Sequence, residues 1–250
     1  MTWGPTRGGK LWAGWSLARW GSFSPPEASP ASEMAFVARA AVLWTLLLGP
    51  TVALTALAAH HTPLPGDAAV LRWAQGLPFP GQTLSEAVRA ITTTQVVMAT
   101  GGVMALLLAL VGRRAEALAL AAGIVLLPLV QSGIKELVDR PRPGPPWSEI
   151  RDGFTSPSFP SGHVMSPTVL YGFLAWLAAT GRVPEVWRWP LGAWSTLVLA
   201  LAGPPNVWLG VHWPSDVLGG WAWGLALVVP MAVFAALLPR VAVAKPAPKR

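Results

Sequence analysis

The chain reads as an all-α, integral membrane protein, a bundle of six transmembrane helices, and three observations predict it. Of its 250 residues 53% are hydrophobic and only 12% are charged, against about 25% charged in a soluble domain. The apolar residues fall in long blocks, each near the roughly 20 residues that cross a bilayer as a helix. Basic residues gather at alternate ends of these blocks, as the positive-inside rule asks of cytoplasmic loops. Such loops account for the formal net charge of +7, so nucleic acid is not expected as a partner. The chain has no cysteine, which excludes disulfides, thiol catalysis and Cys-ligated metal. Its 15 Trp suit membrane interfaces, where an amphipathic ring is favoured.

Residues 1–33 are rich in Gly, Ser, Pro and Trp and carry Arg7, Lys10 and Arg19. They hold no run long enough to span, and read as a basic N-terminal tail, disordered or interfacial. Residues 34–240 form the six-span domain, and residues 241–250 a basic C-terminal tail. The first span is expected at 35–58. A polar connection follows over 60–92, holding Asp67, Arg72, Glu86 and Arg89, with one or two short helices along the membrane surface. His60 and His61 have no acidic cluster beside them and read as loop residues. The second span, 94–112, stops at Gly112-Arg113-Arg114. The third, 116–134, stops at Lys135. A polar loop leads to the fourth, 162–179, with Ser161 as its N-cap. The fifth, 190–209, is broken near Gly203-Pro204-Pro205-Asn206. The sixth, 216–238, carries Gly220 and Gly224 four apart, a small-residue pattern for close helix packing, expected to act within the chain.

Six spans place both termini on one side. That side collects Arg39, Arg113, Arg114, Arg182, Arg188 and Arg240 and is expected to be cytoplasmic. The opposite side nonetheless carries Lys135, Arg140, Arg142 and Arg151 in one loop. Cations that run against the topological trend need another task, and anion binding is the natural one.

Three polar clusters share that face: Lys135 with Arg140 and Arg142; Ser161, Gly162 and His163; and His212 with Asp216. Pro214 suits the first turn of the sixth helix, so His212 lies just before it and Asp216 can reach back to the ring. A carboxylate on one imidazole nitrogen fixes the tautomer and strengthens the other as a nucleophile. A helix start offers backbone N–H groups to an anion. Two His, one with an acidic partner, several cations and a helix N-terminus fit phosphoryl transfer. Singly, each cluster is an ordinary anchor, cap or loop. Together, ionisable groups at membrane depth are costly and mark function.

Lys135-x6-Arg142-Pro143, then Pro160-Ser161-Gly162-His163, then His212-x3-Asp216 resemble, in order and spacing, the three motifs of the type 2 phosphatidic acid phosphatase family. The resemblance covers residues 94–238. It implies a six-helix membrane bundle in a bacterial plasma membrane, with both termini cytoplasmic and the site facing outside. It implies hydrolysis of a lipid phosphate, among them phosphatidic acid, phosphatidylglycerophosphate and isoprenyl diphosphates such as undecaprenyl diphosphate. It implies a phospho-histidine intermediate and neither metal nor other cofactor. By the resemblance His212 is the nucleophile, Asp216 its orienting partner and His163 the acid for the leaving group. Lys135, Arg142, Ser161 and Gly162, with the additional Arg140, bind phosphate. Membrane lipids are the only other partners expected, and the oligomeric state is left open.

One position departs. The family's third motif is Ser-Arg-x5-His-x3-Asp, which puts Asn206 where the Arg belongs and Pro205 where the Ser belongs. Losing one such transition-state contact costs about 2–4 kcal/mol, roughly a hundred- to a thousandfold in rate. Arg140 and Arg151 are the candidates to substitute. The alternative reading is a slow or inactive family member that binds or transports a phosphorylated lipid, with Asn206 in the phosphate site.

Overall fold

The computed structural model describes residues 30–60, 62–148 and 156–241. Among them are nine helices and no strand. They are α1 (Pro30–His60), α2 (Asp67–Gln75), α3 (Gly81–Ile91), α4 (Thr94–Leu110), α5 (Arg114–Val138), α6 (Gly162–Ala179), α7 (Glu185–Leu201), α8 (Pro204–Trp208) and α9 (Pro214–Val241). Expectations placed on residues 1–29, His61, Arg151 and 242–250 lie outside the described residues.

The expected order of helices is present. The 60–92 connection holds two short helices, α2 and α3, and the break at Gly203 separates α7 from α8. Three helices are long and apolar enough to cross a membrane: Met34–His60, Arg114–Val138 and Pro214–Leu238. Helices α3 and α4, bent by 48° at their junction, make a fourth if taken as one broken span. Helices α6, 18 residues, and α7, 17 residues, sit at the short end of the crossing range of about 17–25. Large apolar side chains point outward, with Leu110, Leu129 and Leu137 each at least 65% exposed. A soluble surface avoids so broad an apolar coat, so the outer face is the lipid-facing one.

Helix α6 is the axis. It is apolar on every side, and Met165, Val169, Leu170, Phe173 and Leu177 are buried in the main core, as such a helix requires. Its most extensive partner is α9, followed by α7. The α6–α9 approach is set by glycine. A Cβ on Gly220 would fall 2.8 Å from Val164 Cβ and 2.9 Å from the Ser161 carbonyl oxygen. One on Gly224 would fall 2.5 Å from Thr168 Cβ. The small-residue pattern therefore packs α9 against α6 of the same chain. Trp44 and Trp223 tie α1 to α9, donating to the Ala226 carbonyl and the Thr55 hydroxyl.

The charged residues sort to the two ends. At one end Arg113, before α5, and Arg182, after α6, both bind the Glu116 carboxylate at 2.5 and 2.9 Å. At the other end the C-terminus of α5 and the N-termini of α6 and α9 converge, and the three motifs meet there.

Candidate active site

Helix α5 stops at Asp139, in the left-handed region with φ 42°, whose N–H returns to the Lys135 carbonyl. Asp tolerates that conformation better than most residues. The loop beyond is laced across the bundle end. Ser158 N–H donates to the Arg140 carbonyl, and the Trp213 indole to the Pro141 carbonyl. On the far side, Val211 and His212 N–H both donate to the Asn206 carbonyl. This tight turn passes through Gly210 at φ 70°, which needs a residue without Cβ. Helix α9 then opens on Pro214. The Asp216 carboxylate accepts from Trp213 N–H at 2.9 Å, the reach-back half of a capping box. The carboxylate is thereby fixed before the imidazole meets it.

His212, 1% exposed, has its Nδ1 3.3 Å from Asp216 Oδ2 and its Nε2 3.2 Å from Arg142 Nη1. Arg142 is held by the Ser156 carbonyl and hydroxyl and by the Val211 carbonyl. His212 lies in the turn before α9, outside the membrane-crossing helices. Burial is the main force pushing its pKa down, to about 4, with Arg142 and Lys135 acting the same way and Asp216 opposing. The ring is neutral at neutral pH, with Nε2 turned to the Arg142 guanidinium.

Ser161 occupies the N-cap position of α6, as expected, but its hydroxyl makes no cap bond. Its N–H donates to the Asp216 carbonyl at 3.0 Å, which welds the second motif to the third. The side chain is fully buried and its Oγ has no hydrogen-bond partner among the described residues. A buried polar atom without a partner calls for an explanation, and a ligand position is one. At Gly162 a Cβ would fall 2.8 Å from Gln131 Nε2, so a larger residue here requires the Gln131 side chain to move. His163 is half-buried. The charges of Arg89, Arg142, Lys135 and His212 act on its ring. Lys135 is half-buried and donates its ammonium to the Pro157 carbonyl. Lys135, Arg142, Ser161, Gly162, His163, His212 and Asp216 are thus gathered at one end of the bundle.

Arg140 stands apart from the expected phosphate ligands. It is 1% exposed, and its guanidinium is consumed by protein groups. It donates to Asp216 Oδ1 at 2.6 Å, Asp67 Oδ2 at 2.8 Å, Ser215 Oγ at 2.7 Å and Thr62 Oγ1 at 3.3 Å. The reason is geometric: a rigid fork with five donors is the group that can satisfy two carboxylates at once. Arg140 therefore braces Asp216 from behind, tying it to Asp67 on α2.

Asn206 is fully buried. Its Nδ2 donates to the Ala202 carbonyl at 2.7 Å, and its Oδ1 accepts from Arg89 Nη1 at 2.6 Å. Two residues here escaped sequence reasoning. Asp67 opens α2 and accepts from Leu64 N–H, Arg140, and the Ser215 N–H and hydroxyl. It thereby caps α9 from another helix. Arg89 comes from α3. The available signal was the α3 pattern: Ser85, Val88 and Arg89 form its buried face, the i, i+3, i+4 spacing of an inward stripe. No group of three or more His, Asp or Glu among the described residues is placed to hold a metal ion.

The architecture and the site together define an α-helical integral membrane protein with a buried His–Asp pair beside a set of cations. Comparison with known proteins supplies the family. The PAP2 superfamily model matches residues 116–239. The chain is 33% identical over 101 residues to phosphatidylglycerophosphatase B of Bacillus subtilis (strain 168). That alignment covers 40% of this chain and 48% of the relative, so the chain matches about half the length of that protein. The fold is similar to the crystal structure of a transmembrane PAP2-type phosphatidylglycerolphosphate phosphatase from Bacillus subtilis. The TM-score is 0.63 at 22% identity, covering 79% of this chain and 98% of the other. The chain belongs to the type 2 phosphatidic acid phosphatase (PAP2) superfamily, as the three motifs anticipate. The matched region contains every motif residue but not Asp67 or Arg89.

Proposed function

We propose that this protein is a membrane phosphatase that hydrolyses a lipid phosphate at the outer face of a bacterial plasma membrane. The observation that carries the reading is His212: Asp216 holds one ring nitrogen and Arg142 stands 3.2 Å from the other. In the first step His212 Nε2 attacks phosphorus and the bond to the lipid oxygen breaks. His163 gives its proton to that oxygen, and the lipid alcohol leaves. In the second step His163 takes a proton from water, whose oxygen attacks the phospho-histidine. The P–N bond breaks and inorganic phosphate leaves. Arg142, Lys135, the Ser161 hydroxyl and N–H groups at the start of α6 hold the phosphoryl oxygens as charge spreads. Asp216 keeps the proton on Nδ1 throughout, and Arg140 keeps Asp216 in place.

Six crossings with both termini cytoplasmic belong to this reading. The shared end of Arg113 and Arg182, opposite the site, supports that orientation by charge. A phosphate monoester such as phosphatidylglycerophosphate is the first substrate to test, on the strength of the Bacillus relative's name. Isoprenyl diphosphates come second. The test is phosphate release by the purified full-length protein from a panel of such lipids, with His212→Ala and His163→Ala beside it. Turnover that vanishes in His212→Ala is expected. Equal turnover in that variant, or none from any lipid by the wild type, sinks the reading. Asn206 favours a second reading, a family member that binds or carries a phosphorylated lipid without hydrolysing it. Tight binding without turnover by the wild type would establish that one.

A further inference from the structure

We infer that Arg89 of α3 is a phosphate ligand of this site, positioned by Asn206. The inference rests on the reading that the site takes a phosphate ester. It starts from where the cation sits. Helix α3 is amphipathic, yet its buried face holds an Arg that is 7% exposed. Burying a guanidinium is costly, and an outward-facing Arg on this surface helix would avoid that cost. Arg89 turns inward and reaches across the bundle end to Asn206, with Nη1 2.6 Å from Oδ1.

Asn206 is built to hold it. Its amide is locked by the bond from Nδ2 to the Ala202 carbonyl, which aims Oδ1 at the guanidinium. Its backbone carbonyl accepts from His212 N–H. One residue thus fixes both the turn that presents the nucleophile and the fork of Arg89. The Arg89 charge also lies within electrostatic reach of the His163 ring, together with those of Arg142 and Lys135. A neutral amide at 206 and a cation at 89 therefore replace, as a pair, what one Arg at 206 would supply. The Asn does not remove the charge; it receives it from another helix. An Arg fork grips phosphate oxygens through two parallel N–H bonds, and the Asn206 contact fixes the orientation of the Arg89 guanidinium.

The deciding variant is Arg89→Gln. Gln keeps a neutral donor at position 89 but is shorter than Arg, so the Asn206 contact is lost with the charge, and melting is measured alongside to separate lost charge from lost packing. Two readouts are needed on the purified full-length protein. The first is kcat/KM for a lipid phosphate. The second is binding of orthovanadate, a phosphate mimic, followed by calorimetry. Arg89→Gln is expected to lower kcat/KM about 10²–10³-fold, the effect of losing one oxyanion donor, and to weaken vanadate binding. Arg89→Gln/Asn206→Arg, which moves the guanidinium across the existing contact, is expected to recover part of both. Unchanged kcat/KM and vanadate affinity in Arg89→Gln overturn the inference while leaving the phosphatase reading intact. A wild type that binds vanadate through Arg89 but never turns over sinks the phosphatase reading and leaves Arg89 a phosphate ligand.

Discussion

Replacing Arg140 by Gln tests whether this residue supports the site or touches substrate. The structure buries Arg140 between Asp67 and Asp216, at 2.8 and 2.6 Å. All three side chains are at most 4% exposed. Removing one partner of a buried ion pair costs about 3–5 kcal/mol, because the other charge is left uncompensated. Here a single change strands two carboxylates, so the upper part of that range is expected. For a chain of this size each kcal/mol moves the melting temperature by about 2–4 °C, giving a loss of roughly 8–20 °C. Thermal unfolding of the purified protein in detergent, without substrate, reads this directly. Arg140→Lys keeps the charge but not a fork that spans both carboxylates, and should fall between. Asp67→Asn/Arg140→Gln should cost less than the sum of its single variants, since the partners share one interaction. If Arg140→Gln melts with the wild type and only raises KM, the support role is wrong, and Arg140 faces substrate after all.

Further outcomes follow from individual contacts. Ser161→Ala removes a buried hydroxyl with no partner among the described residues, so stability should stay level or rise slightly while phosphate-mimic affinity falls. A loss of stability above about 1 kcal/mol would mean that Ser161 Oγ has a structural bond. Gly220→Ala puts a methyl against the Ser161 carbonyl oxygen at 2.9 Å. It should cost about 1–3 kcal/mol by overpacking and lower kcat, read by melting and turnover together. His212 has its pKa depressed to about 4, so the acid limb of kcat/KM set by the nucleophile should lie near pH 4, not near 6.5. Arg142→Gln removes a charge that disfavours the imidazolium, and should move that limb upward. The stability sign follows from the same shift. Between pH 6.5 and about 4 the unfolded chain binds more protons at His212 than the folded one. That contribution is complete above pH 6.5 and declines on acidification, as melting curves across that window would show.

The helices and the residues of the three motifs were legible because each depends on local pattern. Apolar runs gave the long helices, and α6 begins and ends where expected because Ser161 and Gly162 open it and Gly181 follows its end. The His212–Asp216 contact was legible for the same reason: four residues across a helix start cannot lie far apart. The membrane ends of the helices were less so. Helix α7 begins at Glu185, not 190, because Pro184 takes the N-cap position and the helix accommodates Pro190. Arg-Pro-Arg does not say which guanidinium faces inward. That depends on Asp67, 73 residues earlier.

The residues that stayed hidden have one thing in common. Asp67 and Arg89 lie in the connection between the first two long helices, which sequence pattern reads as a charged membrane-surface segment. A charge on a surface helix is ordinarily solvated, and only tertiary contact turns it inward. Asp67 caps α9 and counters Arg140. Arg89 meets Asn206, 117 residues away. The motifs thus supply the groups around His212, while two short helices outside the matched region supply the charge balance behind them. The departure at position 206 makes sense only with that second layer included. Judged alone, Asn206 is a missing cation; judged with Arg89, it is one end of a relocated one. Asn206→Ala should therefore impair the site through Arg89, reducing turnover in the wild type but adding little to Arg89→Gln. Full additivity of the two losses would show that they act independently and would refute the coupling.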